Sequence, residues 1–298
     1  MKPENAKNSA VSAKKVYVPA KIVIEWSADR PDAGPGGTMN GPDVYQVLEL
    51  AAKAGEVLLE NGAEIFRVEE TMERIASYYG VKHEEFFVLS NGIFTTGDDE
   101  AHDKVYAKVR FIPMKSTQLY RVVMVNQLSR EIEAGKHTVA EAMERLEEIR
   151  HAEGKKKWTQ ILASGAGSAA FCVLFGGTLF DSAAALIAGL LLYVFLLFAA
   201  FPRFSKIVCN LSGGALVTVI CILLYKLGLG TGLSHMIIGA IIPLIPGVAF
   251  TNGVRDIATS DYISGMVRLL DAMLGFLCIA IGVAVVFTVY TRLFGGVL

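Results

Sequence analysis

The chain has 298 residues, 53% of them hydrophobic and 19% charged, with a formal net charge of −1. That balance says little about partners and does not suggest nucleic-acid binding, and no nucleic-acid motif occurs. From Trp158 onward only ten Asp, Glu, Lys or Arg remain (Asp181, Arg203, Lys206, Lys226, Arg255, Asp256, Asp261, Arg268, Asp271 and Arg292), so two solvents are implied, water for the first half and lipid for the second.

Residues 1–41 read as a disordered extension, closed by the Gly/Pro-rich "SADRPDAGPGGTMNGP"; within it "KKVYVPAKIVIEW" has strand character. The start is polar and lacks an apolar core, so no cleavable leader is expected there. Residues 42–154 read as an α/β domain. Apolar residues at helical spacing predict one helix ending at Gly62 and a second ending at Gly80. Three strand-like pieces follow, at 84–97, 103–113 and 117–125, then a short helix at 126–135 and a longer one from 138, where Thr138 and Glu141 form a capping box. The predicted order is α-α-β-β-β-α-α, enough chain to bury one core.

"GKKKW" marks a border before residues 155–298, which read as a transmembrane domain. Five apolar segments, near 158–178, 181–201, 207–227, 232–251 and 265–290, each approach the ~20 residues a helix needs to cross a bilayer. The fold class expected is therefore a membrane α-helical protein of five transmembrane helices with an N-terminal cytoplasmic α/β domain. Lys155, Lys156, Lys157, Arg203, Lys206 and Arg255 fall on one side and only Lys226 and Arg292 on the other, which places the α/β domain in the cytoplasm and the C-terminus outside. "SGAGSA" at 164, "SGGALV" at 212 and "SGMVRL" at 264 echo one another; they read as a trace of repetition or as small residues that let helices approach closely.

The fourth segment carries Pro243, Pro246 and Gly247. Each proline removes a helical hydrogen bond at a cost of ~3 kcal/mol, so a broken or re-entrant helix is expected, of the kind that exposes helix ends along a substrate path. Thr251, Asn252, Arg255 and Asp256 follow; Asn252 and Asp256 share a helix face, and Arg255 offers a fork to a carboxylate. Asp271 lies inside the last segment, three residues after Arg268, so the two are expected to meet on one helix face; a start near Tyr262 makes them a proton or substrate site, a start near Leu269 a structural pair. His235 and Lys226 read as interfacial. In the α/β domain Glu64, Arg67, Glu70 and Arg74 stand at ion-pair spacing, and "GDDEAHD" at 97–103 reads as an exposed turn. Cys172, Cys209, Cys221 and Cys278 sit in apolar runs as small hydrophobes; no metal site, cofactor or ATP-binding loop is expected.

"NGAEIFRVEETMERIA", "FVLSNGIFTT" and "IPLIPGVAFTNGVRDIATSDYISGMVRLLDA" together resemble the threonine/serine exporter family, from about residue 43 to the end. The resemblance implies proton-driven export of small amino acids, with dicarboxylate export in some two-component relatives. It implies the larger subunit of a split form, and hence a small membrane-only partner or a homo-oligomer. The family pattern falls on Pro246, Gly247, Thr251, Asn252, Arg255, Asp256, Asp261 and Arg268, and on Gly62, Glu64, Arg67 and Glu69. It often places a glycine before the aspartate where this chain has Ser260.

The leading expectation is thus an exporter subunit. Pro246, Gly247, Thr251, Asn252 and Arg255 bind substrate, with Arg255 on its carboxylate. Asp256 or Asp271 carries the proton, and Asp261, Arg268, Glu64, Arg67 and Glu69 support the site. A membrane-tethered enzyme and a ligand sensor or scaffold are the alternatives from other classes.

Overall fold

The computed structural model describes residues 26–27, 43–81, 84–99, 104–113, 117–197 and 204–294. Of the predicted N-terminal extension only Trp26–Ser27 is described, as a two-residue strand β1; the rest of 1–41, and residues 100–103 of the acidic run, lie outside the described residues.

In the N-terminal unit, α1 (Val44–Glu60) is the central helix. Asp43 caps it by accepting from the Tyr45 N–H, and Val47, Leu48, Leu50, Ala51, Ala54 and Leu58 are buried along its length. Beside it lies α2 (Ile65–Tyr78), which buries Val68, Met72 and Ile75 at helical spacing. Gly62 and Gly80 end the two helices in left-handed conformations, with φ of +84° and +89°. β2 (Glu84–Leu89), β3 (Gly92–Asp99) and β4 (Lys104–Phe111) form an antiparallel sheet in the order β1-β4-β3-β2. Val88, Ile93 and Arg110 stand in register and face the helices, while Phe87, Phe94 and Val109 line up on the opposite, exposed face.

The order of elements matches the sequence expectation, but two segments differ from it. Residues 84–97 form a hairpin turning at Ser90–Asn91 rather than one strand. Residues 117–125 do not form a strand: they open α3 (Leu119–Glu133), where Val125, Leu128 and Ile132 are buried one helical turn apart. The β-branched run suggested a strand, and packing of that stripe against α1 and α2 overrides the local preference. α4 (Val139–His151) completes the unit, and its Thr138–Glu141 capping box forms as predicted.

Six helices follow: α5 (Lys157–Leu174), α6 (Leu179–Phe195), α7 (Lys206–Lys226), α8 (Leu233–Ile241), α9 (Gly247–Ala258) and α10 (Tyr262–Phe294). Among the described residues α7 and α10 are long and apolar enough to cross a membrane, and α8 with α9 makes a third such span if the bent pair is counted as one. The chain is therefore mostly helical, with two or three candidate membrane spans. The three sequence echoes are contact points. Ser164 Oγ donates to Gly189 O across α5 and α6 at 3.0 Å; a Cβ on Gly214 would meet Ile279 O at 2.7 Å; one on Gly265 would meet Gly253 O at 2.8 Å. Small residues at these crossings let the backbones touch.

Candidate functional site

The helix starting at Leu233 does not survive its prolines. A 3-10 turn at Ile242–Leu244 follows α8, Ile245 is extended, and Pro246 stands at the N-cap of α9. The two halves are bent by 68°. The break is braced from two sides: a Cβ on Gly275 of α10 would lie 3.1 Å from the Pro246 ring and 3.3 Å from Asn210 Nδ2 of α7.

A cavity of about 600 Å³ opens at this break. Its membrane-side lining runs from Pro243 through Ala249 and includes Asn252, with Lys206 and Asn210 from α7 and Arg268 and Asp271 from α10. Leu59, Gly62, Ser90 and Thr117 of the N-terminal unit form the facing wall. α9 begins at this cavity and has no side-chain cap; the first N–H groups of a helix lack partners within it and carry its positive dipole end. Lys206 Nζ and Asp271 Oδ2 are paired across α7 and α10. The cavity therefore offers two cations, Lys206 and the Asp256-paired Arg268, with one carboxylate, amide groups and a helix N-terminus over an apolar floor.

The polar residues after the break serve mainly to dock the N-terminal unit. Residues 62 to 65, the turn between α1 and α2, each make one link. Asn252 Nδ2 donates to Gly62 O at 2.9 Å, and Arg268 Nη2 donates to Ala63 O at 2.9 Å. Arg255 Nη1 meets Glu64 Oε1 at 2.7 Å, and the Ile65 N–H donates to Asp256 Oδ1 at 3.4 Å. Glu64, at the N-cap of α2, gives it no side-chain cap, so Asp256 from α9 supplies the anion that this helix terminus favours. Asp256 is fully buried, and its Oδ2 lies 3.0 Å from Arg268 Nη1.

Pro246, Gly247, Asn252, Arg268 and Asp271 line the cavity. Arg255 and Thr251 are not among the lining residues: Arg255 lies over the Phe66 ring and grips Glu64, and the Thr251 hydroxyl bonds back to Gly247 O. The expected Arg268–Asp271 pair does not form, because buried Asp256 takes Arg268 and Lys206 takes Asp271. Glu64 is also held by Arg67 at 2.9 Å, one rung of the predicted ladder, and Arg74–Glu70 at 2.6 Å is the other. Glu69 accepts from the Val88 N–H at 3.1 Å; burial pushes its carboxyl above the ordinary range, with repulsion from Asp261 and Glu73 adding to the effect. Asp261 joins α9 to α10 through its backbone, its N–H donating to Asp256 O at 2.8 Å. The preceding Ser260 has φ +76°, the left-handed conformation that a glycine would adopt freely.

Four features went unread in the sequence. Lys206 counted only toward topology; Asn210, a lone amide in an apolar run, carried the signal that could have found it. Ser90 and Thr117 reach the cavity only through the fold of the N-terminal unit. At the other end of α8, buried Asp181 accepts from the Thr231 and Gly232 N–H groups through Oδ1, at 2.6 and 2.8 Å, and from Thr178 through Oδ2. His235 lies beside Gly232 there, away from the cavity, and Lys226 sits over the Tyr290 and Phe294 rings.

The family model for threonine/serine exporters matches residues 49–290. A threonine/serine exporter of Corynebacterium glutamicum is 24% identical over 237 residues, an overlap of 78% of this chain and 48% of the relative, so the chain spans about half that relative's length. No solved structure matches.

Proposed function

The chain belongs to the threonine/serine exporter family, and on that premise we propose that it is the domain-bearing subunit of a secondary exporter of small amino acids. The observation that carries the reading is the cavity at the Pro246 break, which combines Lys206, Asp271 and the start of α9 in one space of about 600 Å³. In broken-helix carriers a half-helix N-terminus faces an anionic group of the solute. Here the start of α9 and Lys206 receive the cargo carboxylate, and Asp271 receives its ammonium group. The Lys206–Asp271 pair opens to admit a zwitterion, whose two charges replace the ones that part. A dicarboxylate would meet one carboxylate too many, which favours an amino acid over the succinate-like alternative.

α5, α6, α7, the α8–α9 pair and α10 are five membrane crossings, with the N-terminal unit in the cytoplasm by the distribution of Lys and Arg. α10, with 33 residues, extends about 50 Å at 1.5 Å per residue, beyond the ~30 Å hydrocarbon layer; its first turns reach out to the domain, where Arg268 binds Ala63 O. Asp271 is the group that carries a coupling proton. Asp256, locked to Arg268 and α2, positions the domain instead. A small membrane-only chain or a second copy completes the pathway.

Counterflow in proteoliposomes tests this, with the chain alone and with a candidate small partner, across labelled serine, threonine and succinate. Serine or threonine exchange is expected. Exchange of succinate alone, or of none of the three with either preparation, overturns the reading.

A further inference from the structure

We propose that the turn between α1 and α2 is the inner gate of the cavity: the N-terminal unit walls off one side of it when docked on α9 and α10, and opens that side by letting go. This rests on the cargo reading above for its purpose, and on geometry alone for its mechanism. Leu59 and Gly62, on either side of the α1 terminus, form cavity wall, and residues 62 to 65 carry the four links to α9 and α10. Releasing those links removes that wall.

The contact is built to separate. A buried ion pair is strongly destabilising when one partner is taken away, yet separation here strands no buried charge. Asp256 keeps Arg268, since both belong to the α9–α10 side. Glu64 keeps Arg67, since both belong to α2 and its cap. The only ion pair among the four links is Arg255–Glu64, and the Arg255 side chain is 50% exposed, so water takes its place readily. The other three links each have a backbone group on the domain side, which any solvated turn satisfies with water once released.

The break supplies the matching joint on the membrane side. α8 packs among α5, α6 and α7, and Asp181 of α6 holds Thr231 and Gly232, the two residues that lead into it; α9 packs chiefly on α10 and carries the docking residues. Pro246 thus separates a half that is fixed in the bundle from a half that holds the gate.

The test uses the full chain in lipid nanodiscs, with its four native cysteines replaced by alanine and Asn210→Cys placed in the cavity wall. The rate of modification by a membrane-impermeant thiol reagent reads access without reference to cargo. Arg255→Ala and Glu64→Gln are each expected to speed labelling by roughly two- to fivefold, the range for one exposed ion pair. With Asn210→Cys omitted, a short bis-methanethiosulfonate reagent, which joins Glu64→Cys to Arg255→Cys through two disulfides with sulfinate as leaving group, is expected to abolish counterflow until the disulfides are reduced. Equal labelling rates in Arg255→Ala, Glu64→Gln and the parent overturn the gate, whatever counterflow shows. Altered labelling in a protein that moves no amino acid leaves the gate standing and removes the cargo assignment.

Discussion

Asp256 and Arg268 meet at 3.0 Å between α9 and α10, both nearly sealed from solvent, and each reaches on to the backbone of the same α1–α2 turn. Two elements of the apolar half and one turn of the N-terminal unit thereby meet at one buried ion pair.

Asp256→Ala leaves Arg268 buried beside no carboxylate, and a loss of about 3–5 kcal/mol is expected. Replacing both residues by apolar side chains of similar volume costs far less, because no charge is left over. Thermal unfolding of the purified variants in detergent distinguishes the two; a double variant as unstable as Asp256→Ala or less stable would mean that the stranded Arg268 charge is not what destabilises the single variant.

Asp181 accepts four hydrogen bonds at the N-terminal end of α8. Asp181→Ala removes the acceptor of the exposed Thr231 and half-buried Gly232 N–H groups, each lost hydrogen bond costing about 0.5–1.5 kcal/mol once water takes its place. Amide exchange at Thr231 and Gly232 should accelerate sharply while α10 stays protected. Unchanged exchange would show that α8 is held by packing alone.

Ser260 holds a left-handed backbone at φ +76°, a conformation that costs an L-residue roughly 1–2 kcal/mol. Ser260→Gly is therefore expected to stabilise the chain by up to about that amount, seen as a raised unfolding temperature. A lowered one would mean the hydroxyl makes up for the strain.

Glu49 ties α1 to β4. Burial acts to raise its carboxyl pKa, but hydrogen bonds and charge from Lys108 and Arg110 outweigh it and hold the group below the ordinary range. A carboxylate with a depressed folded-state pKa adds stability that is present above its unfolded pKa of about 4.3 and is lost as pH falls through the folded one. The stability difference between wild type and Glu49→Gln should hence shrink on acidification from pH 7 toward pH 3. A difference that stays constant would place the stabilisation in packing.

Where local chemistry decides structure, the sequence was readable. Pro243, Pro246 and Gly247 announced the break, Gly62 and Gly80 the helix ends, Thr138 and Glu141 the cap. Residues 117–125 misled because Val122, Val123 and Val125 favour strands locally, and only packing against α1 and α2 makes them helical. The charge partners were out of reach for a different reason. Arg268 stands three residues from Asp271 and pairs instead with Asp256, which is already buried by the docked turn; Asn252 and Gly62 are 190 residues apart. Spacing along a helix says which charges can meet, whereas burial selects which ones do.

The cargo assignment is tested most directly by labelled-serine counterflow in proteoliposomes containing wild type or the Lys206→Met, Asp271→Asn double variant, each with the candidate partner. A charge-assisted hydrogen bond contributes about 1.5–3 kcal/mol, so the double variant should fall at least tenfold below wild type while folding and inserting normally. Serine exchange at the wild-type rate in the double variant would contradict the account.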